Sequence, residues 1–547
     1  MLKVLINGEE INVRSKSTLM ELAKEHSYTY PALVAKYNNE VTDLSRKITA
    51  DCSVEFLDIT SKEGHRAYQN SMLFMLIYSA KEVYGKDTVV SIKHSIGKNY
   101  YCNIEKENLR INEREISILK EKMLELVNSK VVIEKELMPV TTAMKIAKEN
   151  YMFDILEILK YRRGTNVHMY KLNDMYNFFC SSLVLECEKL NKFELNYYED
   201  GLIIRFPDRN NPEEILNTVR AKKLIEVFEE SDEWARILEI NTVGNLNKRI
   251  IDNDFGNIIR ISEALQEKKI AEIADNIYKQ NKKIVLIAGP SSSGKTTFAH
   301  RVSVQLKVNK LRPHVISLDD YYLDRSEIPL DENGKQNFEV VESLDINMIN
   351  DHLNRLLKGE TVEIPSFNFS AGIKEFKGET LTLGANDVLI MEGIHGLNDI
   401  ISSSVPKESK YKIFISALTQ LTIDNHNRIA TTDLRLMRRI VRDSKFRGFN
   451  PLKTMGMWAE VVQGEIENIF PYQDAADSVF NSALVYELSV LKTYIEPALF
   501  GVLPDSEQYG EARRLIKMLE NFLVADDNDI PNNSLIREFI GGSVFRK

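Results

Sequence analysis

The sequence predicts an α/β protein in which a domain built on a parallel sheet follows two smaller regions of mixed helices and strands. From Lys282 onward, short apolar runs alternate with helical stretches, which is the pattern of a parallel sheet with crossover helices. Residues 284–288 (IVLIA) form a β-branched apolar run that leads directly into a glycine-rich loop. Residues 1–208 alternate helical and β-rich stretches without this regular order.

Size and composition limit the class of protein. At 547 residues the chain is too long for one core, so several domains are expected. The net charge of −9 gives no support for a nucleic-acid coat or a membrane surface. The N-terminus has no signal-peptide core, and no apolar run approaches the roughly 20 residues that would cross a bilayer. Four cysteines without a CxxC pair argue against a zinc site or a disulfide framework. We therefore expect a cytoplasmic protein without membrane contact.

Changes of pattern along the chain predict five regions. The first reads as a small β-grasp domain, with strands at 2–7 and 53–58 around a capped helix at 18–26. A turn cluster at 208–212 closes the second, α+β region, and a charged helical connector follows it. The last region is a helical extension with one amphipathic helix at 507–524. The predicted boundaries are 1–60, 61–208, 209–280, 281–505 and 506–547.

The glycine-rich loop has the spacing of a phosphate-binding P-loop. Residues 289–297 (GPSSSGKTT) match G-x-x-x-x-G-K-[ST] between an apolar strand and an amphipathic helix. Gly289 and Gly294 let successive backbone N–H groups turn inward around a phosphate. Lys295 supplies a cation for the β- and γ-phosphates, and the Thr296 hydroxyl is the expected Mg²⁺ ligand. The predicted ATP-binding residues are Gly289, Ser291, Ser292, Ser293, Gly294, Lys295, Thr296 and Thr297.

Acidic residues follow two further strands of the predicted sheet. Asp319 comes directly after the run at 314–318, and Glu392 comes directly after the run at 387–391. The carboxyl ends of parallel strands lie at the ligand-binding edge of a sheet. Asp319 is therefore placed to accept a proton from a substrate hydroxyl, and Glu392 to contact Mg²⁺ directly or through water.

A cluster of arginines predicts a basic helix face. Arg435, Arg438, Arg439 and Arg442 recur at helical spacing, and Arg447 follows them. Such a face, on a segment that moves, can close over a triphosphate and neutralise charge in the transition state.

In this order, these segments resemble the uridine kinase and phosphoribulokinase family. The resemblance covers about residues 283–485 and rests on GPSSSGKTT, SLDDYY, NFEVVESLD, IPSFNF, VLIMEG and RRIVRDSKFRG. It implies ATP- and Mg²⁺-dependent phosphorylation of an alcohol, most simply the 5′-hydroxyl of a nucleoside. It assigns the catalytic roles to Asp319, Lys295, Arg439, Arg442 and Arg447, and the metal contacts to Thr296 and Glu392.

The same resemblance implies four substrate-binding residues, which are Tyr322, Glu339, Phe367 and Phe369. Three positions depart from the family pattern: Gly372 replaces a histidine that reads the pyrimidine edge, Phe449 replaces the last lid arginine, and Glu339 replaces an aspartate. The nucleobase is therefore open, and a purine nucleoside or a sugar-like alcohol remains an alternative acceptor.

The N-terminal half resembles threonyl-tRNA synthetases. Residues 1–60 are similar to their TGS domain, and residues 61–208 to their second additional, editing domain, through EGHRAYQNSMLFMLIYSAKEVYG and HSIGKNYYCNI. Of the four editing positions, His65 and Cys180 are kept, whereas Ser61 and Val184 replace histidines. A tRNA-binding or tRNA-deacylating protein with a P-loop switch domain is the alternative from another class. A small-molecule substrate is favoured over tRNA as the partner, and a homo-oligomer is compatible with the kinase resemblance.

Overall fold

The computed structural model describes residues 1–6, 8–26, 28–215, 222–331, 334–419 and 421–545. The N-terminal part is a mixed five-stranded sheet with one short helix. Thr18 caps that helix through a capping box with Glu21. The helix predicted at 18–26 is shorter than expected and ends at Ala23. The strand predicted at 2–7 ends at Ile6, and residue 7 lies outside the described residues. The elements are β1 (Leu2–Ile6), β2 (Glu9–Val13), α1 (Leu19–Ala23), β3 (Val34–Tyr37), β4 (Glu40–Thr42) and β5 (Cys52–Leu57), in sheet order β2-β1-β5-β3-β4.

The next part packs two antiparallel sheets around a central helix. Ser61 caps this helix by accepting a hydrogen bond from the Gly64 N–H at 3.0 Å, and residues 72–77 of the helix are almost fully buried. The helices are α2 (Lys62–Tyr84), α3 (Glu113–Asn128), α4 (Val140–Glu149) and α5 (Phe153–Lys160). The strands are β6 (Val89–Ile96), β7 (Asn99–Glu105), β8 (Glu134–Pro139), β9 (Asn166–Leu172), β10 (Met175–Asn177), β11 (Glu194–Tyr198) and β12 (Gly201–Arg205). Their orders are β11-β12-β7-β6 and β10-β9-β8.

Three helices follow in the predicted connector, of which residues 216–221 lie outside the described residues. They are α6 (Lys222–Leu238), α7 (Val243–Ile251) and α8 (Phe255–Lys279). Ile270, Ile273 and Ile277 of α8 belong to the same apolar core as strands of the next sheet. Helix α8 therefore forms part of the layer that covers that sheet.

The predicted parallel sheet is confirmed. Its order is β14-β17-β13-β18-β19, and every pair of neighbouring strands is parallel. All five residues of the central strand are buried, as its apolar sequence requires. The strands are β13 (Ile284–Ala288), β14 (Arg312–Ser317), β17 (Asp387–Glu392), β18 (Lys410–Ser416) and β19 (Ser478–Asn481), and a separate hairpin pairs β15 (Val362–Asn368) with β16 (Ile373–Leu381). The helices are α9 (Lys295–Val308), α10 (Ile346–Leu357), α11 (Thr431–Phe446), α12 (Pro451–Gly456), α13 (Trp458–Asn468) and α14 (Glu487–Phe500).

The C-terminal extension packs onto this domain. It contains α15 (Tyr509–Leu519), which is shorter than the helix predicted at 507–524, and α16 (Arg537–Ile540). Leu535 joins the core beneath α9, whereas Ile536 joins the core around α11 and α14. In the described part of the chain, no helix combines the length and apolar character needed to cross a membrane.

Candidate active site

The P-loop connects β13 to α9 and has the backbone geometry that phosphate binding requires. An added Cβ at Gly289 would lie 2.0 Å from the carbonyl oxygen of Ile415, so only glycine fits there. Gly294 adopts a φ of +88° at the start of α9. The Lys295 ammonium folds back over the loop and donates to the carbonyl oxygens of Gly289 at 3.0 Å and Pro290 at 3.3 Å.

Two oxygen-bearing side chains meet at the mouth of this loop. The Thr296 hydroxyl donates to the Glu392 carboxylate at 2.9 Å, and Glu392 ends β17 beside Ile287 of β13. A hydroxyl and a carboxylate next to a phosphate cradle are the oxygen donors that Mg²⁺ prefers, so these residues fit the ion. Burial raises the pKa of Glu392 to about 7, although the nearby Lys295 charge opposes that rise.

Asp319 lies in a short 3₁₀ turn at the end of β14, on the same sheet edge as Glu392. Its N–H donates to the Ser317 hydroxyl at 3.2 Å, which fixes the turn. Burial raises the pKa of the Asp319 carboxyl, while the positive charges of Lys295 and Arg447 oppose the rise. The carboxyl is therefore within electrostatic reach of both cations, as the predicted strand-tip position requires.

The arginines of α11 do not share one role, which corrects the expectation of a single mobile basic face. Arg435 and Arg438 are buried in ion pairs with Glu465 and Glu487, respectively. They also donate to the carbonyl oxygens of Ser291 and Ser292, both at 3.2 Å. These two arginines therefore hold the P-loop backbone in place.

The remaining arginines gather around one buried carboxylate. Asp443 lies 3.4 Å from Arg439, 2.9 Å from Arg442 and 3.6 Å from Arg447, and its side chain is 1% exposed. Arg439 also donates to the Ser291 hydroxyl at 2.9 Å. The structure thus places the three predicted lid arginines together, and Arg439 directly on the P-loop.

Carboxylates that sequence reasoning missed occupy donors of the loop. The Ser291 N–H donates to Glu465 at 2.8 Å. The Thr297 N–H and hydroxyl donate to Glu538 of α16 at 3.2 Å and 2.7 Å. Neither glutamate belongs to a motif, so the sequence carries no local signal for these contacts.

The predicted substrate-binding aromatics form one cluster. Ring centroids of Tyr322 and Phe367 are 5.7 Å apart, those of Phe367 and Phe369 are 5.1 Å apart, and Phe338 lies 5.7 Å from Tyr322. The Tyr322 hydroxyl donates to the Phe338 carbonyl oxygen at 3.2 Å, next to Glu339. The cluster therefore brings the four predicted residues to one place.

Glu339 is half-buried between this cluster and the charged groups beside the P-loop. An added Cβ at Gly464 would lie 2.7 Å from the Glu339 Cβ, so glycine at 464 leaves room for the longer acid. Burial, followed by the Glu465 charge, raises the pKa of Glu339 to about 7.

Gly372 and His395 add two features to the site. An added Cβ at Gly372, which has a φ of +71°, would lie 2.8 Å from the Arg325 side chain, so Arg325 fills this space. Arg325 also donates to the Phe369 carbonyl oxygen at 3.1 Å.

Burial lowers the pKa of His395, near Lys295, to about 4, so the imidazole is neutral at neutral pH. Sequence reasoning missed Arg325 and His395.

The two retained editing positions have separate partners. His65 contacts the Pro207 carbonyl oxygen at 2.9 Å, whereas the Cys180 thiol accepts from the Asn521 amide at 3.7 Å. Burial raises the pKa of the Cys180 thiol, which keeps it protonated. Of the two replaced positions, Ser61 caps α2 and Val184 is buried in the apolar core.

Comparisons with known proteins identify the parallel-sheet domain. The model of the Phosphoribulokinase / Uridine kinase family matches residues 284–489. A uridine kinase of Yersinia pestis is 30% identical over 199 residues, which cover 36% of this chain and 85% of that protein. The chain belongs to the phosphoribulokinase/uridine kinase family. This family member is an ATP-dependent phosphotransferase.

Other members of the uridine kinase family match over a similar extent. A uridine kinase of Deinococcus deserti is 28% identical over 180 residues, covering 33% of this chain and 77% of that protein. A solved structure of a possible uridine kinase from Bacillus stearothermophilus is 18% identical, covers 39% of this chain and 100% of that chain, and has a TM-score of 0.22. The family match contains the P-loop, Asp319, Glu392 and α11.

Proposed function

We propose that this kinase transfers the γ-phosphoryl group of ATP to the 5′-hydroxyl of a nucleoside. The observation that carries the proposal is the aromatic cluster of Tyr322, Phe338, Phe367 and Phe369 beside the half-buried Glu339. Aromatic faces stack on nucleobases, and a carboxylate can accept hydrogen bonds from both ribose hydroxyls. A nucleoside uses both features, because its base stacks on the aromatic rings and its ribose hydroxyls donate to the carboxylate. A small sugar uses only the carboxylate.

The proposed mechanism assigns the proton transfer to Asp319. As the hydroxyl oxygen forms a bond to the γ-phosphorus, its proton moves to the Asp319 carboxylate and the bond to the bridging oxygen breaks, so ADP leaves. Lys295 and Arg439 neutralise charge on the phosphoryl oxygens, and Asp443 positions Arg442 and Arg447 for the same role. Most of the rate enhancement comes from this positioning.

Thr296 and Glu392 would hold Mg²⁺ in the proposed site, through the hydroxyl and through the carboxylate or a bound water. The ion would neutralise charge on the β- and γ-phosphates. The pairing of Thr296 with Glu392 at 2.9 Å supports this assignment. The predicted ATP contacts of the P-loop, from Gly289 to Thr297, belong to the same proposal.

Arg325 is the proposed contact to the nucleobase edge. Its guanidinium fills the space at Gly372, the position at which the family resemblance expects a base-reading histidine. Arginine donates hydrogen bonds but accepts none, so it selects a base edge with carbonyl or ring-nitrogen acceptors.

For the N-terminal half we propose a TGS-like β-grasp domain at 1–60 and an editing-like domain at 61–208. The strand order β2-β1-β5-β3-β4 with α1 after the first hairpin supports the first assignment. The separate partners of His65 and Cys180 favour a ligand-sensing role over tRNA deacylation. Binding of tRNA that weakens steeply with salt would support the deacylase alternative.

A substrate panel tests the proposed function. Purified full-length protein is assayed with MgATP against pyrimidine nucleosides, purine nucleosides and sugar alcohols, with ADP release coupled to a spectroscopic readout. We expect turnover with at least one nucleoside and a lower KM for nucleosides than for sugars. Turnover of sugars alone would reject the nucleoside assignment and leave the kinase activity standing.

A further inference from the structure

A cleft lies outside the kinase site, between the N-terminal half and the C-terminal extension. Its cavity volume is about 210 Å³, and its walls come from α2, the segment at 178–182, the β8–β9 region and α15. A second cavity of about 110 Å³ adjoins it and reaches the loop before α11. The two cavities share the wall residues Arg66, Cys180, Ser181 and Arg514.

Several cations in these walls are already neutralised. Lys135 lies 2.6 Å from Asp43, Lys517 lies 2.7 Å from Glu40, and Arg514 binds Asp433 through two hydrogen bonds of 2.7 Å.

Three arginines of the same walls have no such close partner. Among the described residues, no carboxylate forms an ion pair with Arg162, Arg513 or Arg428, although Arg513 is near enough to Glu40 for its charge to lower the pKa of that carboxyl. The Nε–H groups of Arg162 and Arg513 are buried and have no hydrogen-bond partner in the described part of the chain. Buried donors without partners are costly, so an anion that reaches them would be stabilised. Two carboxylates of the wall, Glu63 and Glu520, form no ion pair with a described residue, and Glu520 is exposed to solvent.

Aromatic rings lie beside the unpaired arginines. The Arg162 guanidinium is 5.9 Å from the centre of the Phe178 ring, and the Arg428 guanidinium is 5.3 Å from that of Tyr100. Ser181, Ser182 and Asn521 add hydrogen-bonding groups to the larger cavity. A cleft whose walls carry guanidinium groups, aromatic faces and hydroxyls matches a phosphate monoester that carries a flat ring.

The cleft is joined to the kinase site through α11. Arg514 in the cleft wall holds Asp433 in the first turn of α11, and Arg439 of the same helix contacts Ser291 of the P-loop. Arg428 belongs to the loop that leads into α11. The Arg514–Asp433 pair and Arg428 therefore connect the walls of the two cavities to the start of α11.

We propose that this cleft is a second, regulatory site that binds a nucleoside monophosphate through Arg162 and Arg513. The phosphate accepts hydrogen bonds from the guanidinium groups of Arg162 and Arg513, whose Nε–H groups lack partners in the described part of the chain, and the ring packs against the aromatic side chains of the wall. Binding there changes the affinity of the P-loop for ATP through the Arg514–Asp433 pair and α11, and ATP changes the affinity of the cleft by the same factor.

Calorimetric titration of the full-length protein with uridine 5′-monophosphate tests the proposal. We expect one equivalent in the cleft in addition to any equivalent in the kinase site. In Arg162→Ala/Arg513→Ala the cleft equivalent weakens by about 100-fold, because two charge-assisted contacts are lost. The matched control Arg163→Ala removes a neighbouring exposed arginine outside the cleft, and the cleft equivalent should bind with unchanged affinity. Uridine, which lacks the phosphate, leaves the cleft empty in every variant.

Further arms separate the outcomes. Arg162→Lys/Arg513→Lys keeps both charges but loses the planar donors, so we expect an intermediate loss. This pair serves the test if circular dichroism shows that the alanine pair does not fold. Asp433→Asn should keep the cleft equivalent but abolish the effect of the monophosphate on the affinity for an ATP analogue. The same stoichiometry and affinity in both arginine-pair variants as in Arg163→Ala would overturn the proposal, as would binding of short RNA in place of the monophosphate.

Discussion

The hydroxyl of Thr297 donates a hydrogen bond of 2.7 Å to the carboxylate of Glu538, and the Thr297 N–H donates to the same oxygen at 3.2 Å. Thr297 is the last residue of the P-loop motif, and N–H groups at this helix start are donors for a nucleotide phosphate. The Glu538 side chain therefore occupies donors that ATP would use in the proposed site, so its carboxylate would compete with the nucleotide phosphates.

The first prediction concerns this competition. Glu538→Gln removes the negative charge and keeps the shape of the side chain, so the KM for ATP should fall by about fivefold. Steady-state kinetics with varied ATP measure the effect. The matched control Glu507→Gln changes an exposed glutamate elsewhere in the C-terminal extension and should leave the KM unchanged. A higher KM in Glu538→Gln would mean that the carboxylate supports nucleotide binding.

The second prediction tests the proposed base. Asp319→Asn cannot accept a proton, so kcat should fall by about 100- to 10,000-fold while the Kd for an ATP analogue changes little. Asp320→Asn is the matched control, because Asp320 accepts the Phe367 N–H at 3.3 Å and has no place in the proposed proton transfer. Rapid-quench measurement of phosphoryl transfer separates chemistry from product release. Near-normal turnover in Asp319→Asn would show that another group accepts the proton.

The P-loop, the two strand-tip acids and the parallel sheet could be predicted because each is encoded locally. A buried strand, a glycine pair and a following helix leave a continuous signature over residues 284–297. The roles of Arg435 and Arg438 could not be predicted in this way. Helical spacing shows which arginines share a face of α11, but Glu465 and Glu487 reach that face only in the folded chain.

The contacts of Glu465 and Glu538 with the P-loop could not be predicted either, because the partners lie far apart in the sequence. Glu465 is 174 residues from Ser291, and Glu538 is 241 residues from Thr297. Only the packing of α13 and of the C-terminal extension brings them to the loop. The Arg325 side chain likewise fills the space at Gly372 because the hairpin of β15 and β16 folds towards it. These are properties of tertiary structure, and no short motif encodes them.

The third prediction concerns Glu465. Its buried partner Arg435 would lose its counter-charge in Glu465→Gln, so the free energy of unfolding should fall by about 3–5 kcal/mol. Chemical denaturation measures the change, and Glu467→Gln on the same helix is the control. Since Arg435 also donates to the Ser291 carbonyl oxygen at 3.2 Å, loss of its counter-charge should disturb the P-loop backbone and raise the KM for ATP. Equal stability of the two variants would contradict the role assigned to the ion pair.

The fourth prediction concerns the pH dependence of nucleoside binding. Burial raises the pKa of Glu339 to about 7 from its usual 4.5, so the carboxylate that accepts ribose hydroxyls forms only as the pH rises through 7. The KM for the nucleoside should therefore fall between pH 6 and pH 8, roughly in inverse proportion to the ionised fraction of Glu339. Glu339→Gln should raise the KM and flatten this dependence, whereas Glu339→Asp should keep its direction. A wild-type KM that is constant over this range would contradict the ribose-binding role.

The same residue gives a fifth prediction, on stability. A carboxyl whose pKa is higher in the folded protein than in the unfolded chain binds its proton more tightly when folded. Its contribution to the free energy of unfolding is therefore fully present below about pH 4.5 and is lost as the pH rises to about 7. Relative to Glu339→Gln, the free energy of unfolding of the wild type should fall across this window. Above pH 7 the difference between the two proteins should stay constant. Denaturation at a series of pH values measures the difference between the two proteins, which cancels the titration of Glu392 and other groups common to both. A difference that stays constant from pH 4.5 to 7 would show that Glu339 titrates normally in the folded protein.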